Sequence, residues 1–374
     1  MKNNKPLRLF VDCHVFDGEY QGTRTYLEGL YKELTKDRDR HFFLAANDLI
    51  NLKAIFGEQE NITFIRYRSH SKVLRLLIDT PLLILKHKID FAHFQYRVPP
   101  LKFCRYIVTI HDVLFEDFPE FFPKTGRKIS YYTYRFSAEH SDIVLTVSPY
   151  AKATISKHLG VHNAIITPNG IADEFYKPYN KELVQNEVAM VYNLKNYFIY
   201  ISRWEPRKNH LAIVKAFVNQ KLYSNYSLLF VGDVTFDNPE YDVYYNHLPS
   251  EIKSRIVCLK HIPFKDVLLL LQGATLSIYP SIAEGFGIPP LETIAAGVPT
   301  LSSNTTAMAD YNDFMGEYMF DPYDGAELEE KLSYILNHDV TADFNNMKNI
   351  IKQRYNWINA AKAFNKALQD YINK

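Results

Sequence analysis

The chain alternates short apolar runs with amphipathic segments almost from end to end, and few folds accept that rhythm. LRLFVD (7–12), HFFLAA (41–46), FAHF (91–94), YIVTIHD (106–112), DIVLTVS (142–148) and AIITPN (164–169) form a first series of strand candidates. YFIYIS (197–202), SLLFVGD (227–233), RIVCLK (255–260), ATLSIYPS (274–281) and PTLSS (299–303) form a second. Helical patterns such as TRTYLEGLYKELTK (23–36) and NHLAIVKAFVNQ (209–220) intervene. Alternation of this kind predicts an α/β protein with parallel, doubly wound sheets. A chain of 374 residues is also too long for one ordinary core. The polar stretch KPYNKELVQNEVAMVYNLKN (177–196) breaks the rhythm. The expected division is therefore a Rossmann-like domain over 1–176, a connection over 177–196 and a second Rossmann-like domain over 197–356. WINAAKAFNKALQDYI, within the terminal segment 357–374, is a strongly amphipathic helix.

Composition narrows the function classes. With 47% hydrophobic and 23% charged residues and a net charge of +1, the chain is globular and carries no signature of nucleic-acid binding. Cys13, Cys104 and Cys258 are far apart and lie in or beside apolar segments, as buried free thiols of a reduced, cytosolic protein would. MKNNKPLRLFVD enters a strand without a signal-peptide core, and no run reaches the roughly 18 apolar residues of a membrane span. Residues 1–176 carry 24 Lys and Arg against 20 Asp and Glu, a balance of +4 that leaves −3 for the rest. Within that half, KVLRLLIDTPLLILKHK (72–88) is apolar with basic flanks, although Pro81 interrupts it. PKTGRKISYYTYRF (123–136) interleaves bases with aromatics. Such faces suit anionic membrane surfaces; core helices with solvated edges are the alternative for each.

Open parallel sheets bind ligands at the carboxyl ends of their strands, so residues just after strands carry the candidate chemistry. In ISRWEPRKNH, Arg203 follows a strand and Lys208 precedes a helix whose expected N-cap is Asn209. Two cations and a helix N-terminus at one strand tip suit a phosphate; a solvated basic loop is the bland alternative. In SIAEGFGIPPLETIAAGVP (281–299), Glu284 and Glu292 would share a face if the segment were one helix, but Gly285, Gly287, Pro289 and Pro290 argue against that. Glu284 is therefore expected in a loop and Glu292 in the first turn of the next helix. The N–H groups of Phe286, Gly287 and Ile288 would then face an anion, with Gly287 allowing close approach. Both acids would repel a phosphate unless they accept hydrogen bonds from sugar hydroxyls instead.

Three other sites enter the reading. His111, with Asp112, ends the YIVTIHD strand, either as a core histidine or facing a cleft. Gly22 opens helix 23–36, where backbone could approach a ligand. The chain has no G-x-G-x-x-G and no P-loop motif. DRD (37–39) is a literal D-x-D, yet it lies at the wrong end of its sheet for a ligand.

Taken together, strand–Arg203–x4–Lys208–helix followed by Glu284-x7-Glu292 in PSIAEGFGIPPLETIAAGVP resembles the retaining glycosyltransferases of family 4. VTIHD, IITPNGI and FDPYDGAELEEKLSYIL extend the likeness over nearly the whole chain. EPRKN and EGFGIPPLE look most like the bacterial mannosyl- and rhamnosyltransferase-like group 1 members that build surface polysaccharides. The resemblance implies GT-B architecture, two Rossmann-like doubly wound parallel-sheet domains facing a central cleft. The first would bind the acceptor, a glycan or lipid-linked glycan, and the second a nucleoside-diphosphate sugar. Arg203 and Lys208 would neutralise the donor diphosphate in place of a metal, so neither metal nor cofactor is implied. Glu284 would hold donor-sugar hydroxyls and Glu292 the ribose. Phe286, Gly287 and Ile288 would contact phosphate or sugar, His111 would sit by the reacting carbon, and Gly22 would border the phosphates. Lys208 and Glu292 would face a solvent-filled cleft, and the helix from Trp357 would brace the first domain. A cytoplasmic enzyme is implied, with peripheral contact at the inner membrane face through the N-terminal domain. The chain has Gln21-Gly22 where the family often has a glycine pair, and Ser202 where its Arg/Lys motif usually begins with Gly. A catalytically silent GT-B module that binds nucleotide-sugar or a partner, and another GT-B sugar enzyme such as an epimerase or phosphorylase, are the other readings of the same cleft.

Overall fold

Every apolar run named above contains a strand in the computed structural model of the chain, which describes residues 5–18 and 21–374. The first series gives β1 (Leu7–Asp12), β2 (Arg40–Ala46), β3 (Ile62–Arg66), β4 (Phe91–Gln95), β5 (Arg105–Thr109), β6 (Ile143–Thr146) and β7 (Ile165–Ile166). The second gives β8 (Tyr197–Ile201), β9 (Ser227–Val231), β10 (Ile256–Leu259), β11 (Leu276–Tyr279), β12 (Thr300–Ser303) and β13 (Met319–Phe320). β3 and β13 were not anticipated. ITFIR mixes polar and apolar residues because β3 is a half-covered edge strand, and β13 is only two residues long.

The strands form two wholly parallel sheets, β3-β2-β1-β4-β5-β6-β7 and β10-β9-β8-β11-β12-β13. Leu9, Phe10 and Val11 on β1, and Phe198, Ile199 and Tyr200 on β8, are buried, since helices cover both faces of a parallel sheet. The two sheets share a further property. Strand order reverses beside β1, where β2 lies on one side and β4 on the other. It reverses again beside β8, between β9 and β11. Such reversal points open crevices at the carboxyl ends of their strands.

Residues Met1–Gly170 with Tyr355–Lys374 form one compact unit, and Ile171–Arg354 a second. The segment expected as a connection differs from that reading. Its helix Lys181–Tyr192 packs against helix Phe264–Gly273 inside the second unit. Lys181 Nζ donates to the carbonyls of Gln272 and Ala274 at 2.7 and 2.6 Å, capping that helix's C-terminus. Val188 is its one fully buried residue, which is why the stretch reads as polar.

In the first unit, helix Trp357–Ile372 lies on helix Gly22–Leu34. The Trp357 ring rests on Gly29, where a Cβ would come within 2.0 Å of it. Phe364 packs on Tyr31, and the Tyr371 hydroxyl donates to Asp142 at 2.7 Å. Further along, the 72–88 stretch stays helical through Pro81. Lys72–Leu74 and Thr80–Lys86 are α-helical, joined by a π turn over Arg75–Asp79. A wider turn accommodates the proline's missing N–H.

The three cysteines are free, but only Cys13 is buried. Cys258 is exposed because it lies on edge strand β10. In the DRD stretch, Asp37 accepts the Asp39 N–H at 3.0 Å and pairs with Arg40 at 3.1 Å, a local turn rather than a ligand set.

Candidate active site

The carboxyl end of β8 leads through Ser202 and Arg203 into a single 3-10 turn, Pro206–Lys208. Asn209 follows with φ 54°, and its side chain donates to the Pro322 carbonyl at 2.9 Å instead of capping helix His210–Asn219. The expected side-chain cap is therefore absent. A left-handed Asn209 turns its amide away from the helix it precedes.

This turn carries a continuous chain of charges. Arg203 Nη2 meets Glu205 Oε1 at 3.0 Å, and Arg207 Nη2 meets Glu205 Oε2 at 2.7 Å. Arg207 Nη1 donates to the Ala283 carbonyl at 2.6 Å and to Glu284 Oε2 at 3.2 Å. Lys208 Nζ donates to Glu284 Oε1 at 2.5 Å. Burial pushes the Glu284 carboxyl up, yet Lys208 and Arg207 outweigh it and hold the group at about 2. Burial draws the Lys208 ammonium below the usual lysine range, with Glu284 opposing it. The Lys208 side chain is 12% exposed and that of Arg203 45%. Glu284 thus carries two cations, an arrangement not foreseen for a hydroxyl acceptor.

The Glu284 loop is pinned from three sides. The Ile282 N–H donates to the Arg207 carbonyl at 2.8 Å, the Glu284 N–H to Thr306 Oγ1 at 2.9 Å, and Ser303 Oγ to the Ser281 carbonyl at 2.6 Å. Gly287 has φ 87°, and a Cβ there would lie 2.2 Å from Met308 Sδ, so both conformation and space require glycine. Helix Ile288–Ala295 starts at once, with Pro289 and Pro290 in its first turn where no hydrogen bond is lost. The N–H groups at this start precede the first intrahelical bond. The buried Phe286 accepts the Tyr311 hydroxyl on its carbonyl.

Glu292 is the fifth residue of that helix, one residue past the first turn in which it was expected, because the helix begins at Ile288. Its partly buried carboxyl has no ion pair among the described residues, and burial raises it to about 7. Near neutrality it is half protonated and can both donate to and accept from a hydroxyl.

The remaining candidates belong to the first unit. His111 lies two residues beyond β5 and is buried. Its Nε2–H donates to Gln95 Oε1 at 2.5 Å, and Tyr26 and Tyr96 flank the ring at 4.9 and 5.3 Å between centroids. Burial pushes the imidazole down to about 3, so it is neutral. Gly22 is the first residue of its helix, and a Cβ there would meet nothing within 4 Å. Nothing within the described residues of its own unit demands glycine at that position; Glu19 and Tyr20 of the same loop lie outside the described residues.

The structure thus brings Arg203, Lys208 and Glu284 together on the second unit's reversal point, with Phe286, Gly287, Ile288 and Glu292 following in one segment. Glu205, Arg207 and Gln95 were missed. A buried glutamate between two arginines in RWEPR was the available signal for the first two.

Comparison with known families follows the same division. The description Glycosyl transferases group 1 matches residues 186–364, and Glycosyltransferase Family 4 matches residues 20–175. Each half of the chain matches a glycosyltransferase model, and the chain is a glycosyltransferase. It is 26% identical over 272 residues to O-antigen chain mannosyltransferase B of Escherichia coli, covering 67% of this chain and 70% of that protein. Among solved structures, sucrose-phosphate synthase from Thermosynechococcus elongatus superposes with a TM-score of 0.76 at 16% identity, over 98% of this chain and 99% of that one. Anabaena HepE, solved with UDP and glucose, gives 0.74 at 16% identity, over 97% and 99%. The glycosyltransferase therefore has the GT-B fold, and its second unit carries the charged constellation.

Proposed function

We propose that this glycosyltransferase moves a hexose, mannose- or rhamnose-like, from a nucleoside-diphosphate sugar to a glycan or lipid-linked glycan in surface-polysaccharide synthesis. The Arg203–Glu205–Arg207–Glu284–Lys208 chain at the ends of β8 and β11 carries the reading. The mannosyltransferase relative supports the sugar class, and the UDP-bound neighbour supports the donor class.

On this reading Arg203 and Lys208 face the diphosphate whose charge grows as it leaves, supplying electrostatic stabilisation without a metal. Lys208 has three N–H donors and gives one to Glu284, which leaves two for phosphate oxygens. Arg207 holds Glu284 in place at the donor sugar. The half-protonated Glu292 exchanges hydrogen bonds with ribose hydroxyls, and the neutral His111 contacts a substrate hydroxyl without moving a proton. The C1–O bond to the leaving phosphate breaks while the acceptor oxygen bonds C1 from the same face. The acceptor proton passes to a phosphate oxygen, so configuration is retained and no side chain need act as base. The enzyme would work in the cytoplasm, peripherally at the inner face of the membrane.

Incubation with nucleoside-diphosphate hexoses and an acceptor in EDTA is expected to consume donor, and NMR of the new linkage to show the donor's anomeric configuration. Activity lost to EDTA, an inverted linkage, or tight donor binding without turnover would each overturn part of this reading.

A further inference from the structure

The helical stretch 72–86 buries one side only. Arg75, Asp79, Thr80, Pro81 and Ile84 point inward, and the two charged groups among them are committed. Arg75 faces Asp12 at 3.5 Å, and Asp79 accepts the Arg68 and Ser69 N–H groups, each at 2.9 Å. On the other side, Val73, Leu74, Leu77, Ile78, Leu82 and Leu85 are between 45% and 62% exposed. The stripe runs from Val73 to Leu85, across the π turn at Arg75–Asp79. Six aliphatic side chains along four turns make a patch, where ordinary surfaces scatter such residues singly.

The charge around this stripe has one sign. Arg66, Arg68, Lys72, Lys86 and Lys88 are exposed and form no ion pair among the described residues. Between residues 66 and 88 the only acid is the buried Asp79. Beside the stripe, a cavity of about 340 Å³ opens between the helix and edge strand β3. Its wall combines Phe64 and Leu82 with Arg66, Arg68, Lys86 and His87, and the committed Asp79 lies at its edge. Cations beside aliphatic surface suit a phosphate that carries a hydrocarbon chain. A symmetric contact with a second copy would set these cations against their own kind.

We infer that residues 66–88 form a docking face for anionic phospholipid. The six aliphatic side chains enter the acyl boundary of a bilayer, and Arg66, Arg68, Lys72 and Lys86 take the headgroup phosphates. This gives the peripheral location proposed above its surface. It does not depend on the donor chemistry, because its test reads binding and not transfer.

The full chain is sedimented with phosphatidylcholine vesicles with and without phosphatidylglycerol, at low and high salt. Two variants accompany it, Arg66→Ala/Arg68→Ala/Lys86→Ala and Leu77→Ser/Ile78→Ser/Leu82→Ser, whose folding is checked by circular dichroism melting; all six positions are exposed. The parent is expected to pellet with anionic vesicles and to be released by salt. At about a factor of five per cation, the charge variant should lose roughly 100-fold in vesicle affinity. The aliphatic variant should lose binding while keeping its melting temperature. No pelleting at low salt, equal pelleting with neutral vesicles, or indifference to both variants would overturn the inference. So would a parent that dimerises in sedimentation velocity and turns monomeric in the aliphatic variant without ever binding vesicles.

Discussion

Glu284 takes a cation on each carboxylate oxygen, Lys208 on one and Arg207 on the other. Removing one partner of a buried pair costs more than the pair contributes, since the remaining charge keeps its desolvation. Lys208→Ala is therefore expected to lower unfolding free energy by about 3 kcal/mol as well as abolish transfer. Adding Glu284→Gln should restore much of the stability in denaturant melts but none of the turnover; strict additivity of the two changes would mean the residues are not coupled. Glu292 behaves oppositely with pH. Its folded pKa, about 7, lies above the ordinary 4.5. The fold thus binds its proton more tightly than the unfolded chain does. Its contribution is intact below about pH 4.5 and is lost as pH rises through 7. Glu292→Gln should accordingly gain on the order of 2 kcal/mol at pH 8 and little at pH 4.5; equal shifts at both would show an ordinary carboxyl. The charged types and their spacing made Arg203, Lys208 and Glu284 visible in the sequence. Arg207 was not singled out, because only the fold shows that both cations of PRK turn toward the acid.

Helix Gly22–Leu34 and helix Trp357–Ile372 approach closely enough that the Trp357 ring occupies the space of a missing side chain at Gly29. Gly29→Ala must push the indole away, and overpacking of this kind costs about 1–3 kcal/mol. Its signature would be a lower melting temperature, and an unchanged one would mean the terminal helix adjusts freely. Elements with a clear apolar period were legible: the buried strands, helix 23–36 and the terminal helix. Those that follow tertiary demand were not. β3 is a partly exposed edge strand, and Lys181–Tyr192 buries a single side chain fully. Glu292 falls one residue past the expected first turn because the left-handed Gly287 lets its helix start at Ile288. A helix boundary set by backbone conformation leaves little mark on hydrophobic patterning.

At the scale of the molecule, both sheets reverse their strand order beside their first strand, and the candidate residues of the second unit gather where β8 and β11 part. The first unit is discontinuous: residues 355–374 complete what residues up to 170 begin. Its stretches before and after the second unit are held together by side chains such as Trp357, Phe364 and Tyr371. A pull applied between β1 and the helix Trp357–Ile372 would therefore load the first unit alone. The second unit, tethered to it at 170–171 and 354–355, would bear no tension until that helix peeled away.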